Sequence, residues 1–199
     1  ILNDTAYLYV RLKYDADQFS QGLPNISAVI RGKKIYNPSN GNTEWTQNPA
    51  LCVYDYLTDS KYGLAEQSGS VNLSALLSTA NLCNQQVALT SGGTQARYTL
   101  DGVVDTANSR KDNLEAMLSA MAGNLVYSGG EYFIRGAEYS SPTVVIDESV
   151  LSGGIEVQTK QSRRSLYNGV KGVFLSEDDN YTLADYPAQI SSSYSIEDG

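Results

Sequence analysis

Between residues 108 and 136 the period of the apolar positions changes, and the expected core of the chain lies at that change. Leu114, Met117, Leu118 and Met121 recur at the i, i+3, i+4, i+7 spacing of one helix face. Ser109 is placed to cap that helix, with Asp112 three residues on as an imperfect capping box. Gly123 is expected as the left-handed residue that ends it. The period then falls to two. Leu125, Val126 and Tyr127 read as one strand and Tyr132, Phe133 and Ile134 as the next, joined by a glycine-supplied turn at residues 128–131. A helix beside a hairpin has a partner for its apolar face. The stretch carries no catalytic chemistry.

Elsewhere the patterns are shorter. Residues 7–14 alternate, with Leu8, Val10, Leu12 and Tyr14 on one face and Tyr7, Tyr9, Arg11 and Lys13 on the other, as in a half-buried strand. Residues 26–30 and 34–36 are expected as a strand pair turned at residues 31–33, before a loop over 37–42. Asn48 and Pro49 open a helix, the first as N-cap and the second where its missing N–H is no loss; Leu51, Val53, Tyr54 and Leu57 supply its stripe, and it should stop near Tyr62 and Gly63. A second helix runs from Asn72 through Leu73, Leu76, Leu77, Ala80 and Cys83. Residues 89–95 form a polar joint. Strands are expected over 97–104, with a turn at Asp101 and Gly102, over 144–146 as a buried strand, over 155–160, and over 170–175 after a tight turn at Asn168 and Gly169. Residues 147–151 read as a single turn. From Ser176 the chain turns polar and acidic, as a mobile end or the start of a further segment would.

These elements predict an α+β fold, largely antiparallel β-sheet with about three packed helices, in one domain or two lobes. The lobes would be residues 1–91 and 92–175, with 176–199 leading to a downstream region. The chain opens on Ile1 without a Met, as a piece of a longer protein would, and no signal-peptide pattern or membrane-length apolar run is visible.

Composition narrows the function more than it names it. A net charge of −8 over 199 residues argues against a nucleic-acid or anionic-membrane partner. The nearest basic clusters are Arg31, Lys33 and Lys34, and the pair Arg163 and Arg164, both read as solvated turns or strand ends. The sequence has no histidine, which removes the usual general base of hydrolases and the commonest zinc ligand. Cys52 and Cys83 are too few for a metal cluster; both fall on expected helices, where a buried thiol packs as a small hydrophobe, and nothing in the sequence argues for pairing them. Fifteen tyrosines against three phenylalanines suit surfaces that are part buried and part wet.

Candidate chemistry is sparse. Asp101 with Asp105, and Asp147 with Glu148, are acid pairs of the kind a glycosidase uses, but any chain with 22 acids holds such pairs by chance. Asp178, Asp179 and Asn180 are superficially similar to a calcium loop without its spacing or its distant glutamate. Gly92 with Gly93 and Gly153 with Gly154 lack the spacing of a phosphate loop, and no G-x-S-x-G elbow occurs. The aromatic strands near Tyr7 and Tyr132 could serve as a sugar platform, or as an ordinary sheet face or subunit contact. On this basis the chain is non-enzymatic, with no catalytic, cofactor-binding or metal-ligating residue assigned and no cofactor implied.

Residues 22–36, GLPNISAVIRGKKIY, resemble the "LP…VKGRKVYDP" segment of phage tail-tip attachment and central tail-hub proteins. Residues 45–59, WTQNPALCVYDYLTD, with Tyr62, Gly63 and Leu64, are similar to the "W…NPA…DYLT…YGLG" segment that follows it. Asp112, Asn113 and Leu114, then Met121 to Gly123, a hairpin, and Arg163 and Arg164 before Asn168 keep the family's order, so the resemblance runs over about residues 20–175. It implies a structural protein of a phage or prophage virion, assembled in the bacterial cytoplasm. In that family, trimers of β-rich domains cap the tail tube, surround its channel and lead to the host-attachment region. Partners would be further copies of the chain and neighbouring tail-tube, baseplate or fibre proteins. The family's chains are much longer than this one. Two other classes remain as alternatives: a carbohydrate-binding module for host recognition, and a cell-wall hydrolase domain of the tail tip.

Overall fold

The computed structural model describes residues 7–13, 15, 17, 19, 22–89, 92–139, 141–159, 162, 165–177 and 179–198. Tyr14, Lys160, Arg163, Arg164 and Asp178 lie outside the described residues. The fold is α+β: four helices and four two-stranded antiparallel sheets, each a hairpin, are seen among the described residues. The chain divides into a central unit, Arg31–Thr159, and a second unit drawn from its two ends, Ile1–Ile30 with Lys160–Gly199.

In the central unit β1 (Ile35–Asn37) pairs with β2 (Asn42–Glu44) and leads to α1 (Pro49–Thr58). Asn48 caps α1 as expected, its side-chain oxygen accepting from the N–H groups of Ala50 and Leu51. Next, α2 (Leu73–Asn84) is capped by Asn72 through Ala75 N–H. A hairpin of β3 (Gln86–Ala88) and β4 (Thr94–Ala96) occupies the polar joint. The helix α3 (Arg110–Ser119) is capped by Ser109, whose hydroxyl accepts from Asp112 N–H. The expected hairpin follows as β5 (Asn124–Ser128) and β6 (Glu131–Arg135), turned by Gly129 and Gly130 at φ +62° and +89°.

The core gathers Leu51, Val53, Tyr54 and Leu57 of α1, Leu76, Ala80 and Cys83 of α2, Leu118 of α3 with Met121 just beyond it, Ile35 of β1 and Ile134 of β6. Leu114 and Met117 pack against it from the side. Each fully buried aliphatic side chain contributes about 1.5–3 kcal/mol. Hydrogen bonds pin α2 to the hairpin: Asn72 N–H donates to Tyr132 C=O at 2.9 Å, and Thr79 Oγ1 donates to Ile134 C=O at 2.9 Å. Elements from both sides of residues 89–95 share one set of buried side chains, and the two compact units meet in the sequence near residues 30 and 160.

Helix α3 ends differently from expectation. The left-handed residue is Ala122, at φ +45°, and not Gly123. Gly123 N–H reaches back to Leu118 C=O and Ala122 N–H to Ser119 C=O, the two bonds of a Schellman ending. Gly123 is needed for space: a Cβ there would stand 2.5 Å from Arg135 C=O and 2.9 Å from Met121 Cγ.

Several stretches with strand patterns form no strand. Residues 7–13, 26–30, 97–104, 144–146 and 155–159 have none, and the expected pairing of 26–30 with 34–36 is replaced by β1 with β2. The expected burial of 144–146 also fails, since Val145 is 88% exposed. Among the described residues none of these stretches is paired with another strand, and an apolar or alternating pattern alone makes no hydrogen bonds. The reverse correction applies after Ser176. The polar end forms β8 (Thr182–Ile190), paired with β7 (Gly169–Ser176), and then α4 (Ser192–Asp198). Residues 147–151 form the expected turn, a 3-10 turn over Glu148–Val150.

Candidate interaction surfaces

The best-built polar site lies on α1. Lys33 Nζ donates to Asp55 at 2.8 and 3.1 Å and to Asp59 at 2.6 Å. Burial works to lower the pKa of the Lys33 amine, but the two carboxylates outweigh it and raise it. Asp59 is held down to about 2, first by Lys33 and then by the N–H groups of Tyr62 and Lys61. This site ties the segment entering the central unit to α1. It leaves Lys33 engaged by carboxylates, and Arg31 lies over the Trp45 ring at 4.9 Å, so two of the three cations in that basic cluster have intramolecular partners.

Asn48 links the helices. Besides capping α1 it donates through Nδ2 to Ala80 C=O and to Asn84 Oδ1, both at 2.9 Å, while only 4% exposed. Asn72 Nδ2 donates to Glu131 and Tyr132 Oη donates to Glu66, fastening the β5–β6 turn to the start of α2. These are structural bonds that the linear spacing of the residues does not reveal.

The acid candidates have local jobs. Asp101 accepts two bonds from Gln47 Nε2, and Asp105 accepts from Ala107 N–H. Asp147 caps the 3-10 turn through the hydroxyl and N–H of Ser149, which lower its pKa. Asp179 donates its N–H to Ser176 Oγ and accepts from Thr182 N–H through its carbonyl. Among the described residues no group of three or more Cys, Asp or Glu side chains is gathered as a metal ion requires. Gly92 and Gly93 adopt positive φ inside the β3–β4 loop. The Tyr127 and Tyr132 ring centroids lie 4.7 Å apart with the planes tilted by 50°. Cys52 and Cys83 are both free, on α1 and α2. Burial, then the charges of Asp55 and Asp101, push the Cys52 thiol up to about 12, and burial raises Cys83.

What the chain offers instead is exposed apolar surface. Among the described residues of the second unit no apolar side chain is buried. Leu8, Leu23, Val29 and Ile30 are open to solvent, as are Val173, Leu175, Leu183 and Ile190 on the hairpin. A shallow open groove of about 360 Å³ lies where the hairpin base meets α4, lined by Tyr167, Asn168, Gln189, Ser191 and Tyr194 among others. Among the described residues no helix is long and apolar enough to cross a membrane.

Taken together, the arrangement is an α+β fold with one compact core in the central unit and, among the described residues, no buried apolar side chain in the second unit. No protein-family model matches the chain. It is similar to the tip attachment protein J of Escherichia phage SECphi27, 26% identical over 190 residues, which covers 86% of this chain and 16% of that protein. It is similar also to the baseplate hub protein pb3 of Escherichia phage T5, 26% identical over 191 residues, 85% of this chain and 20% of that protein. A further tip attachment protein J, from Escherichia phage SECphi4, is 27% identical over 60% of the chain and 12% of its own length. The resemblance to phage tail-tip and hub proteins therefore extends over most of the chain, which spans a fifth or less of the length of each of these relatives.

Proposed function

We propose that the chain is a structural module of a phage or prophage tail-tip or baseplate hub, acting by assembly and not by catalysis. The observation that carries this reading is similarity over 85–86% of the chain to a tip attachment protein and to a baseplate hub protein. The free-standing apolar surface of the second unit agrees with it, because a hub module is covered by its neighbours. In this reading the module helps cap the tail tube and link it to the host-attachment region. It assembles in the bacterial cytoplasm with two further copies of itself around the channel, and with adjoining tube, baseplate or fibre proteins.

Gold-labelled antibody against the central unit, applied to purified phage particles, tests the location. Label at the distal tail end is expected. Particles that lack the chain by mass spectrometry would remove the reading.

A further inference from the structure

Among the described residues the hairpin β7–β8 carries no third strand on either edge, and it exposes apolar side chains on both faces. Across its ladder Val173 stands opposite Asp185, and Leu175 opposite Leu183. Lys171, Val173, Leu175, Leu183 and Asp185 therefore share one face. On it Val173, Leu175 and Leu183 are 56, 58 and 69% exposed. On the other face Phe174 stands opposite Ala184, and the Tyr186 ring lies over Gly172. Among the described residues neither strand pairs with a third. A lone hairpin is marginal in water, and unpaired edges are templates for another strand.

The two edges are not equivalent. Lys171 is the sole charged residue of β7, and Asp185 the sole charged residue of β8. Pro187, which has no N–H to give, sits in β8 where the register shifts against β7 between Val170 and Gly172. A seam of β7 on a second β7 joins two amines with no carboxylate. A seam of β8 on a second β8 joins two carboxylates and meets Pro187 twice. Within one copy Lys171 lies diagonal to Asp185, which stands opposite Val173; of the three seams between copies, only β7 against β8 sets an amine directly opposite a carboxylate on the same face.

We propose that the occupant of this edge is a second copy of the chain: β7 of one copy adds to β8 of the next, antiparallel, with Lys171 and Asp185 facing across the seam. The contact is head-to-tail, so an open assembly always keeps one free β7 edge and one free β8 edge, and the sheet extends until it closes into a ring. This names the surface for the copy-with-copy contact suggested above and rests on that contact alone, not on the location in a tail. A single seam of strands of eight and nine residues falls short of the roughly 800 Å² per partner of a standard interface. One seam by itself is therefore weak, and the test must trap it.

In a Cys52→Ala, Cys83→Ala background of the full chain, Val173→Cys and Leu183→Cys proteins, whose positions face each other in this register while Lys171 and Asp185 stay intact, are purified separately, one isotope-labelled, then mixed at high micromolar concentration and oxidised mildly. Val103→Cys, at a position 94% exposed on the central unit, sets the collisional background. Non-reducing mass spectrometry should find the 173–183 disulfide between copies several-fold above that background and above both like-with-like disulfides. Adding Lys171→Asp or Asp185→Lys alone should remove that excess, and the double exchange should restore it. A statistical mixture of disulfides, an excess of 173–173 or 183–183, or no product above background overturns the proposal, and none of these outcomes bears on whether the chain is found in phage particles.

Discussion

Removing the Asn48 side chain should cost the central unit far more than an ordinary cap. Its oxygen accepts from Ala50 N–H at 3.1 Å and Leu51 N–H at 3.4 Å, and those two residues are 0% and 4% exposed, so water cannot replace the bond. Its nitrogen binds Ala80 C=O and Asn84 Oδ1, holding the end of α2 against the start of α1. Losing a cap costs about 1 kcal/mol, and leaving buried amides unpaired adds about 1–3 kcal/mol. Asn48→Ala should therefore lose about 2–4 kcal/mol. Asn48→Ser keeps an acceptor for the helix start but not the two donor bonds, and should lose about half as much. Urea melts followed by Trp45 fluorescence and far-ultraviolet circular dichroism give both values, read from the midpoint at constant slope. An Asn48→Ala loss below about 0.5 kcal/mol, the scale of surface substitutions, would refute the argument, as would a serine variant no better than alanine.

At the end of α3, Ala122→Gly should stabilise by about 0.5–1 kcal/mol, since relief of the left-handed strain exceeds the entropy lost. Gly123→Ala should cost about 1–3 kcal/mol because the Arg135 carbonyl cannot move aside cheaply, and melts that reverse the two signs would show the ending is misread. The Lys33 site makes stability depend on pH at both ends. Asp59 is depressed, so its contribution is present above its ordinary 3.8 and is lost as pH falls through about 2. Lys33 is raised, so its contribution is present below 10.5 and is lost as pH climbs past that raised value. With Lys33 52% exposed the site is worth about 1 kcal/mol, and Lys33→Met should flatten the acid limb; an unchanged limb counts against it. The two thiols should resist iodoacetamide in the native protein at mildly alkaline pH and react on unfolding, and Cys52→Ala, Cys83→Ala should still fold. Fast native alkylation, or a 52–83 disulfide found by non-reducing mass spectrometry, would overturn this.

The second unit makes sense of a feature that the composition only hinted at. Its apolar residues alternate as strands do, yet the described ones remain exposed, which is costly for a free protein and ordinary for a subunit surface. The buried apolar side chains lie in the central unit, and in the proposed reading the end-derived unit offers the contacts. A self-repelling charge of −8 per copy works against association, and the proposed Lys171 and Asp185 seam would set opposite charges together against it.

Local signals in the sequence sufficed for the three long helices and the β5–β6 hairpin. Asn48 before Pro49, Asn72 and Ser109 each mark a helix start because a cap bonds to N–H groups two or three residues away. Gly129 and Gly130 mark the turn because few other residues take their φ. The site residues were legible only in part: Asn48 was visible as a cap, but its reach to Ala80 and Asn84 spans more than thirty positions and depends on how α1 meets α2. Lys33 looked like one of several loose cations until α1 placed Asp55 and Asp59 on either side of it. Strands fared worst. Residues 7–13 and 155–159 have the alternation and 144–146 an unbroken apolar run, yet among the described residues none of them pairs as a strand, whereas the polar stretch from Thr182 became β8 because β7 lay alongside to pair with it. A helix closes its hydrogen bonds within four residues and so can be read from its own sequence, while a strand's partner is chosen by tertiary structure, or by another chain.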